Sequence, residues 1–409
     1  MIRMRSLFGA IALSFCLCTS SAQAQYVHTR GQDVLDGNGK KLQLQGINLG
    51  NWLVREGYMW RMQGGGSPTS GSEIDRFLRE MIGPTRTRAF WKQWDDTYIT
   101  RDDIKLIKKA GFNSVRVPFD WKYFDGNDAE GFRLMDRLVG WCREEGIYVV
   151  LDMHAAPGGQ TGTNIDDSEG YPWLWEDAGA QQQTIDIWRK IAKHYRNEKI
   201  VLGYDLLNEP IPDMPIIQDY TPKLEPLYKR IAAAIREVDK NHTLILGGAQ
   251  WDNHLSVFGP PFDKNIIYQV HVYKRPAVQA TVDEFVTKER NRLNAPVWMG
   301  ETGQAPDQWI GDFARLLEKN NIGWCYWTYK KMSSRSGVVS FDPPEHWDEI
   351  VAYSKTDRSV GHTRKRLQVR PSQKVIDSTF ASLLENIRYD HEHRNISYIH
   401  ALFPDSKVQ

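Results

Sequence analysis

Charge of one sign is missing from this sequence: 52 lysines and arginines stand against 51 aspartates and glutamates in 409 residues. A chain so balanced has no electrostatic grip on polyanions, and nucleic acid is not an expected partner. Cysteine is scarce as well. Of the four present, Cys16 and Cys18 lie near the N-terminus, leaving Cys142 to a predicted helix and Cys325 to a predicted buried strand. Two such residues make no disulfide framework, so a large apolar core has to carry stability. The apolar run 7–17 is too short for a membrane span, and Arg3 and Arg5 before it with Ala22-Gln23-Ala24 after it read as a secretory signal over 1–24. Phe15 and Leu17 stand where a lipid anchor on Cys16 or Cys18 needs a small residue. The expectation is a secreted, monomeric protein over 25–409, periplasmic or extracellular, without membrane insertion, cofactor or metal.

Aromatic residues are plentiful, at 11% of the chain, enough to supply flat platforms for sugar rings. Two short alternating runs around Asp36-Gly37-Asn38-Gly39 predict a hairpin that could close the bottom of a barrel. After it come eight apolar runs: 42–49, 114–119, 148–154, 201–208, 243–251, 266–273, 296–301 and 322–329. Most gaps hold apolar residues at helical spacing, such as Phe132, Met135, Leu138, Val139 and Cys142, or Leu224, Leu227, Ile231, Ile235 and Val238. Strands alternating with helices predict an α/β fold, a (β/α)₈ barrel of one domain. The gap 252–265 shows no helical pattern. Connections after the first, third and eighth runs are long (50–100, 155–179 and 330–369), which marks the face that carries function. The basic stretch 354–370 reads as a solvated loop, and Asn395-Ile396-Ser397 matches a glycosylation acceptor.

Parallel strands covered on both faces should be unbroken apolar runs. These break at one end. The third run closes on Asp152-Met153-His154, the fourth on Asn208-Glu209-Pro210, the sixth on His271-Val272-Tyr273, the seventh on Gly300-Glu301, and the eighth holds Trp327; Arg116 interrupts the second. A buried carboxylate without partners is heavily penalised, so Glu209 and Glu301 need a reason to be there. Each could sit in a structural ion-pair network, but two at one mouth beside Arg116, His271 and Tyr273 point to chemistry. Retaining glycoside hydrolysis needs two carboxyl groups roughly 5–5.5 Å apart, and the fourth and seventh strands of a barrel face each other across its mouth. Glu209 would hold the proton, helped by the charge of Glu301, while Arg116 and Tyr273 would keep Glu301 ionised.

Seven motifs in order, Gly46-Ile47-Asn48-Leu49-Gly50-Asn51-Trp52, Val115-Arg116-Val117-Pro118, Asp152-Met153-His154, Asp205-Leu206-Leu207-Asn208-Glu209-Pro210, His271-Val272-Tyr273, Gly300-Glu301 and Tyr326-Trp327-Thr328-Tyr329-Lys330, carry a resemblance over residues 42–330. The chain resembles glycoside hydrolase family 5, the cellulase family. That resemblance implies a retaining β-glycosidase acting on β-glucan or β-glucosides, with Glu209 as acid/base and Glu301 as nucleophile. It also implies Asn208 on the sugar 2-hydroxyl, Arg116, His154, His271 and Tyr273 orienting the two Glu residues and the sugar, and Trp327 as the floor. Residues 49–56 and 154–160 look most like exo-β-1,3-glucanases, a match that sets Glu56 against the terminal glucose. Asn51 and Gly57 stand where that group has Gly and Pro, so linkage and exo action stay open. Trp251, ending the fifth run, is a further candidate substrate contact, and the loop 163–175 could wall off one end of the cleft.

Other readings compete. A non-catalytic carbohydrate-binding barrel would tolerate loss of either Glu, and both are present. A metal-dependent barrel hydrolase using Asp152, His154 and His271 would begin with a His-x-His pair on its first strand, where this chain has Gly46-Ile47-Asn48. A β-mannan-directed enzyme, or one that passes the sugar to another saccharide, would share every motif above.

Overall fold

The computed structural model describes residues 26–126 and 128–409, so the expected signal segment 1–24 lies outside the described residues. Eight strands close into a parallel barrel: β1 (Gln45–Asn48), β2 (Ser114–Asp120), β3 (Tyr148–Ala155), β4 (Val201–Asp205), β5 (Thr243–Gly247), β6 (Ile266–Val272), β7 (Val297–Gly303) and β8 (Trp324–Trp327). β8 pairs with both β7 and β1, which leaves no open edge. These are the eight expected runs, most of them shortened. β4 stops at Asp205 and β5 at Gly247, because beyond those points the chain leaves the ladder to turn polar side chains into the mouth.

Helices cover the outside, and their ends are set locally. The helix Arg101–Ala110 starts on a capping box between Thr100 and Asp103 and ends at Gly111, whose φ of 125° suits glycine. It buries Ile104, Leu106, Ile107 and Ala110. The helices Ala129–Glu145 and Thr221–Val238 bury the periodic apolar residues picked out in the sequence, except Phe132 and Val238, which are half-buried, and Ala178–Tyr195 buries Ile185, Trp188, Ile191 and Tyr195. After β5 there is only a short left-handed turn, Ala249–Asp252, and one 3-10 turn, matching the weak pattern there.

The barrel bottom is plugged by Leu44, Val150, Leu202, Ile245, Ile267, Trp298 and Cys325, with Val27 packed below them. The N-terminal hairpin lies here with the expected Asp36-Gly37-Asn38-Gly39 turn, across which Leu35 bridges Lys41 antiparallel and the Leu42 amide donates to the Val34 carbonyl, and a further hairpin precedes it. His28–Arg30 pairs with Asp33–Leu35 across Gly31-Gln32, and Asp36 to Gly39 form a second turn in which the Asp36 carboxylate accepts from the Asn38 and Lys40 amides.

The long connections are folded. The first holds the helices Gly71–Ile82 and Pro84–Thr97. The last supplies two strands of a three-stranded sheet, completed by His393–Arg394 further on, and several helices, including Thr363–Gln368 within the stretch read as a loop. That stretch is solvated as expected, yet its basic residues are put to use: Arg358 and Arg366 both reach Glu80 on the first insertion. Cys142 and Cys325 are buried and unpaired. The Asn395 amide donates to the carbonyls of Ser334 and Gly337, which ties up the group that glycosylation would modify.

Candidate active site

The plug gives way upward to a polar layer. Asn48, Arg116, Asp152, Asp205 and Gln269 are fully buried inside the barrel, below the mouth. Arg116 is its hub: Nε donates to Asp205 at 2.8 Å, Nη1 to Asn48 at 3.0 Å and Glu301 at 2.6 Å, and Nη2 to Asn208 at 2.8 Å. Asp152 completes the ring around it at 3.1 Å. One cation therefore serves three carboxylates, and burial raises Asp152 and Asp205 to about 7 despite it.

Glu209 and Glu301 face each other above this layer. One oxygen of each carboxylate and a ring nitrogen of His271 all lie within 4.8 Å of one another. Glu301 takes Arg116 on Oε1 and the Tyr273 hydroxyl on Oε2, the latter at 2.9 Å. Glu209 shares a hydrogen bond with His271 Nδ1 at 2.9 Å, and its backbone N–H donates to Asp252 at 3.1 Å. Its φ of 43° is in the left-handed region, a strained setting for a residue with a β-carbon. The Asp252 contact holds it there.

The two acids differ electrostatically. Burial, then the charges of Glu301 and Glu56, push Glu209 well above the usual carboxylate range. Burial raises Glu301 as well, and the Arg116 guanidinium restrains it, so the expected partners moderate the effect of burial without reversing it. His271 is driven well below its usual value by burial and by Arg116, and stays neutral. His154, lowered to about 4 mainly by burial, is neutral too.

His154 does not touch either Glu. Its Nδ1 pairs with Asp152 at 2.8 Å and its Nε2 lies 3.3 Å from the Asn208 amide, so it orients Asn208 instead. Its ring stacks on Trp327, centroids 5.6 Å apart. Trp327 lies against Gly50, where a β-carbon would come within 2.7 Å of the indole, and its Nε1 donates to the Tyr58 hydroxyl. A cavity of about 460 Å³ opens over these groups, lined among others by Glu56, Tyr58, His154, Asn208, Glu209 and Glu301. Glu56 is buried in its wall and raised to about 8, first by burial and then by Glu301, with Lys331 opposing. Trp251 is apart from this cavity, in a neighbouring one that Glu209 and Tyr273 also line.

Sequence reasoning missed Tyr58, Asp252 and Gln160. Gln160 donates to the carbonyls of His154 and Asn208 and so ties β3 to β4. Tyr58 and Gln160 lie in the long connections; length was the only signal for Tyr58, while Gln160 ends the matched stretch 154–160 without a role assigned to it. The spacing of Glu209, His271 and Glu301 would also suit a cation. Both Glu301 oxygens already accept, one from a guanidinium, and a metal would have to displace or oppose that charge.

Residues 77–333 match the pattern of the family described as Cellulase (glycosyl hydrolase family 5). The chain is 28% identical over 396 residues to a beta-xylosidase of Phanerodontia chrysosporium, covering 84% of this chain and 81% of that one. It is 31% identical over 218 residues to a protein of Aspergillus fumigatus described as a probable glucan 1,3-beta-glucosidase A, covering 50% and 49%. An endogalactoceramidase structure superposes with a TM-score of 0.57 at 21% identity over 74% of each chain, a likeness of fold. The matched pattern takes in β2 to β8 with every hydrogen-bond partner of Glu301, and the chain belongs to glycosyl hydrolase family 5: it is a glycoside hydrolase.

Proposed function

We propose that this enzyme hydrolyses β-glucan or β-glucoside bonds with retention of configuration, through a covalent glycosyl-enzyme intermediate. The observation that carries the reading is that one oxygen of Glu209 and one of Glu301 lie within 4.8 Å of each other, a close approach that favours direct attack over a water-mediated one. Glu301, fixed by Arg116 and Tyr273, attacks the anomeric carbon while Glu209 passes its proton to the leaving oxygen. Ester formation then removes the charge on Glu301. Glu209 loses one of the causes of its raised affinity for a proton, and becomes the base that activates the incoming water.

The remaining residues take supporting roles. Asn208, held by Arg116 and facing His154, meets the 2-hydroxyl, where hydrogen bonds strengthen toward the transition state. Trp327 is the floor under the ring, and Glu56 with Tyr58 closes the far wall. Residues 1–24 export the chain. No helix among the described residues is long and apolar enough to cross a membrane.

The test is chemical rescue. Glu301→Ala should lose at least about three orders of magnitude in kcat, and azide should restore turnover of an activated aryl β-glucoside by forming a glycosyl azide of inverted configuration. A retained azide product would remove Glu301 from the role of nucleophile. Wild-type products followed by NMR should appear first as the β-anomer.

A further inference from the structure

The charge balance of the whole chain does not hold between residues 355 and 374, in the connection after β8, where seven lysines and arginines stand against one acid, Asp357. Three of the seven are committed to structure. Arg358 and Arg366 reach Glu80, and Arg370 donates to the Met81 carbonyl, which fastens the stretch to the helix Gly71–Ile82. Lys355, Arg364, Lys365 and Lys374 are exposed, and their side chains have no hydrogen-bond or ion-pair partner among the described residues. Elsewhere exposed charges pair along their helices, as in Arg133 with Glu130 and Arg315 with Asp312.

Apolar side chains stand in water in the same stretch. Val360 is 90% exposed, Leu367 59% and Val369 61%, and they are three of the eight large hydrophobic side chains left exposed among the described residues. The 3-10 turn Val360–His362 and the helix Thr363–Gln368 bury none of their residues. So short a helix does not hold itself in water, and one in a globular protein ordinarily gains its stability by burying an apolar stripe. This one is anchored through Glu80 and displays its apolar residues instead. Val360, Arg364 and Leu367 recur at the spacing of a single helix face, which sets a free cation between two exposed apolar residues.

What covers such a surface has to suit both chemistries. A second copy of the same patch would bring like charges together. A neutral polysaccharide is gripped by aromatic rings, and residues 355–374 contain no Phe, Tyr or Trp. A soluble polyanion would satisfy the cations and leave Val360, Leu367 and Val369 in water. An anionic phospholipid surface meets both needs, since its headgroups attract Lys and Arg while the boundary with the acyl chains takes apolar side chains.

We propose that residues 355–374 dock the enzyme peripherally on an anionic phospholipid surface. Arg364, Lys365 and Lys374 face the headgroups, and Val360, Leu367 and Val369 enter the boundary beneath them. The contact is shallow and spans nothing, and it uses no residue of the cavity shared by Glu209 and Glu301.

The test is co-sedimentation with vesicles of phosphatidylcholine alone or with about 30% phosphatidylglycerol, at low salt, where such attraction is least screened. It uses the chain 25–409, so that the apolar run 7–17 cannot itself bind lipid. The wild type should partition onto the anionic vesicles at least about tenfold more strongly than onto the neutral ones. Arg364→Glu with Lys365→Glu, and separately Val360→Ser with Leu367→Ser, should each lower that partition about tenfold, with thermal unfolding as the check that both variants are folded. Equal partition of the wild type onto both kinds of vesicle overturns the inference. It is equally overturned if the serine variant keeps wild-type partition within about twofold while the charge-reversed one loses it together with binding to dextran sulfate, because the stretch then takes soluble polyanions.

Discussion

Arg116 donates to four residues from a site with no access to water, and each bond uses a different part of the guanidinium fork. Lysine would keep the charge but could not span Asp205, Asn208 and Glu301 together, because an ammonium is a point and not a plane. Arg116→Lys is therefore expected to fold while losing about 10²–10³ in kcat/KM, since Glu301 and Asn208 are both released from their near-attack positions. Arg116→Ala should go further and cost about 3–5 kcal/mol of stability, because three buried carboxylates are left without a cation. Thermal unfolding beside steady-state kinetics separates the two effects. A lysine variant with wild-type kcat/KM would mean that charge alone, without geometry, serves Glu301.

The segment after β5 shows how an element can matter without a visible pattern. Asp252 is buried at the end of the left-handed run, accepts from the Glu209 backbone, and lies 3.3 Å from His271 Nε2. Replacing it with alanine should free both neighbours of Glu209. Asp252→Ala is expected to lower kcat about 10–100-fold with little change in KM, and Asp252→Asn, which keeps an acceptor, to recover most of that loss; equal defects in both variants would reduce Asp252 to a packing role. Nothing in the sequence flagged this residue, since its part depends on a backbone turn carrying it beneath a neighbouring strand. The barrel strands were legible for the opposite reason. Runs buried on both faces must be apolar, so Asp152, Glu209, His271 and Glu301 stood out as exceptions at their ends. Strand boundaries were less legible, because the apolar run continues past β4 through Leu206 and Leu207 after ladder pairing has stopped. His154 was legible as a site residue but its direct partners, Asp152 and the Asn208 amide, were not, as composition cannot tell which polar groups a ring will face.

At the scale of the whole molecule, the barrel keeps more acid inside than its cations balance, and this ties folding to pH. Glu56 is the cleanest case: its carboxyl titrates at about 8 in the fold, against 4.5 ordinarily. Between those values the folded chain holds a proton that the unfolded chain has released. Stability from this group is therefore intact below about 4.5, falls as pH rises, and is fully lost above about 8. Glu56→Gln removes the titration, so the variant should gain on the wild type as pH rises from 5 to 9. At about 1.4 kcal/mol per pKa unit, less what Lys331 and entering water relieve, the gain is of order 2 kcal/mol, or a few degrees in Tm. The same charge also bears on catalysis. Glu56 is one of the groups that raise Glu209, so its removal should move the alkaline limb of the kcat/KM profile, set by loss of the Glu209 proton, to lower pH. A Tm difference that stays constant from pH 5 to 9, with an unmoved alkaline limb, would show that Glu56 titrates as an ordinary solvated acid and that the far wall of the sugar pocket is open to water.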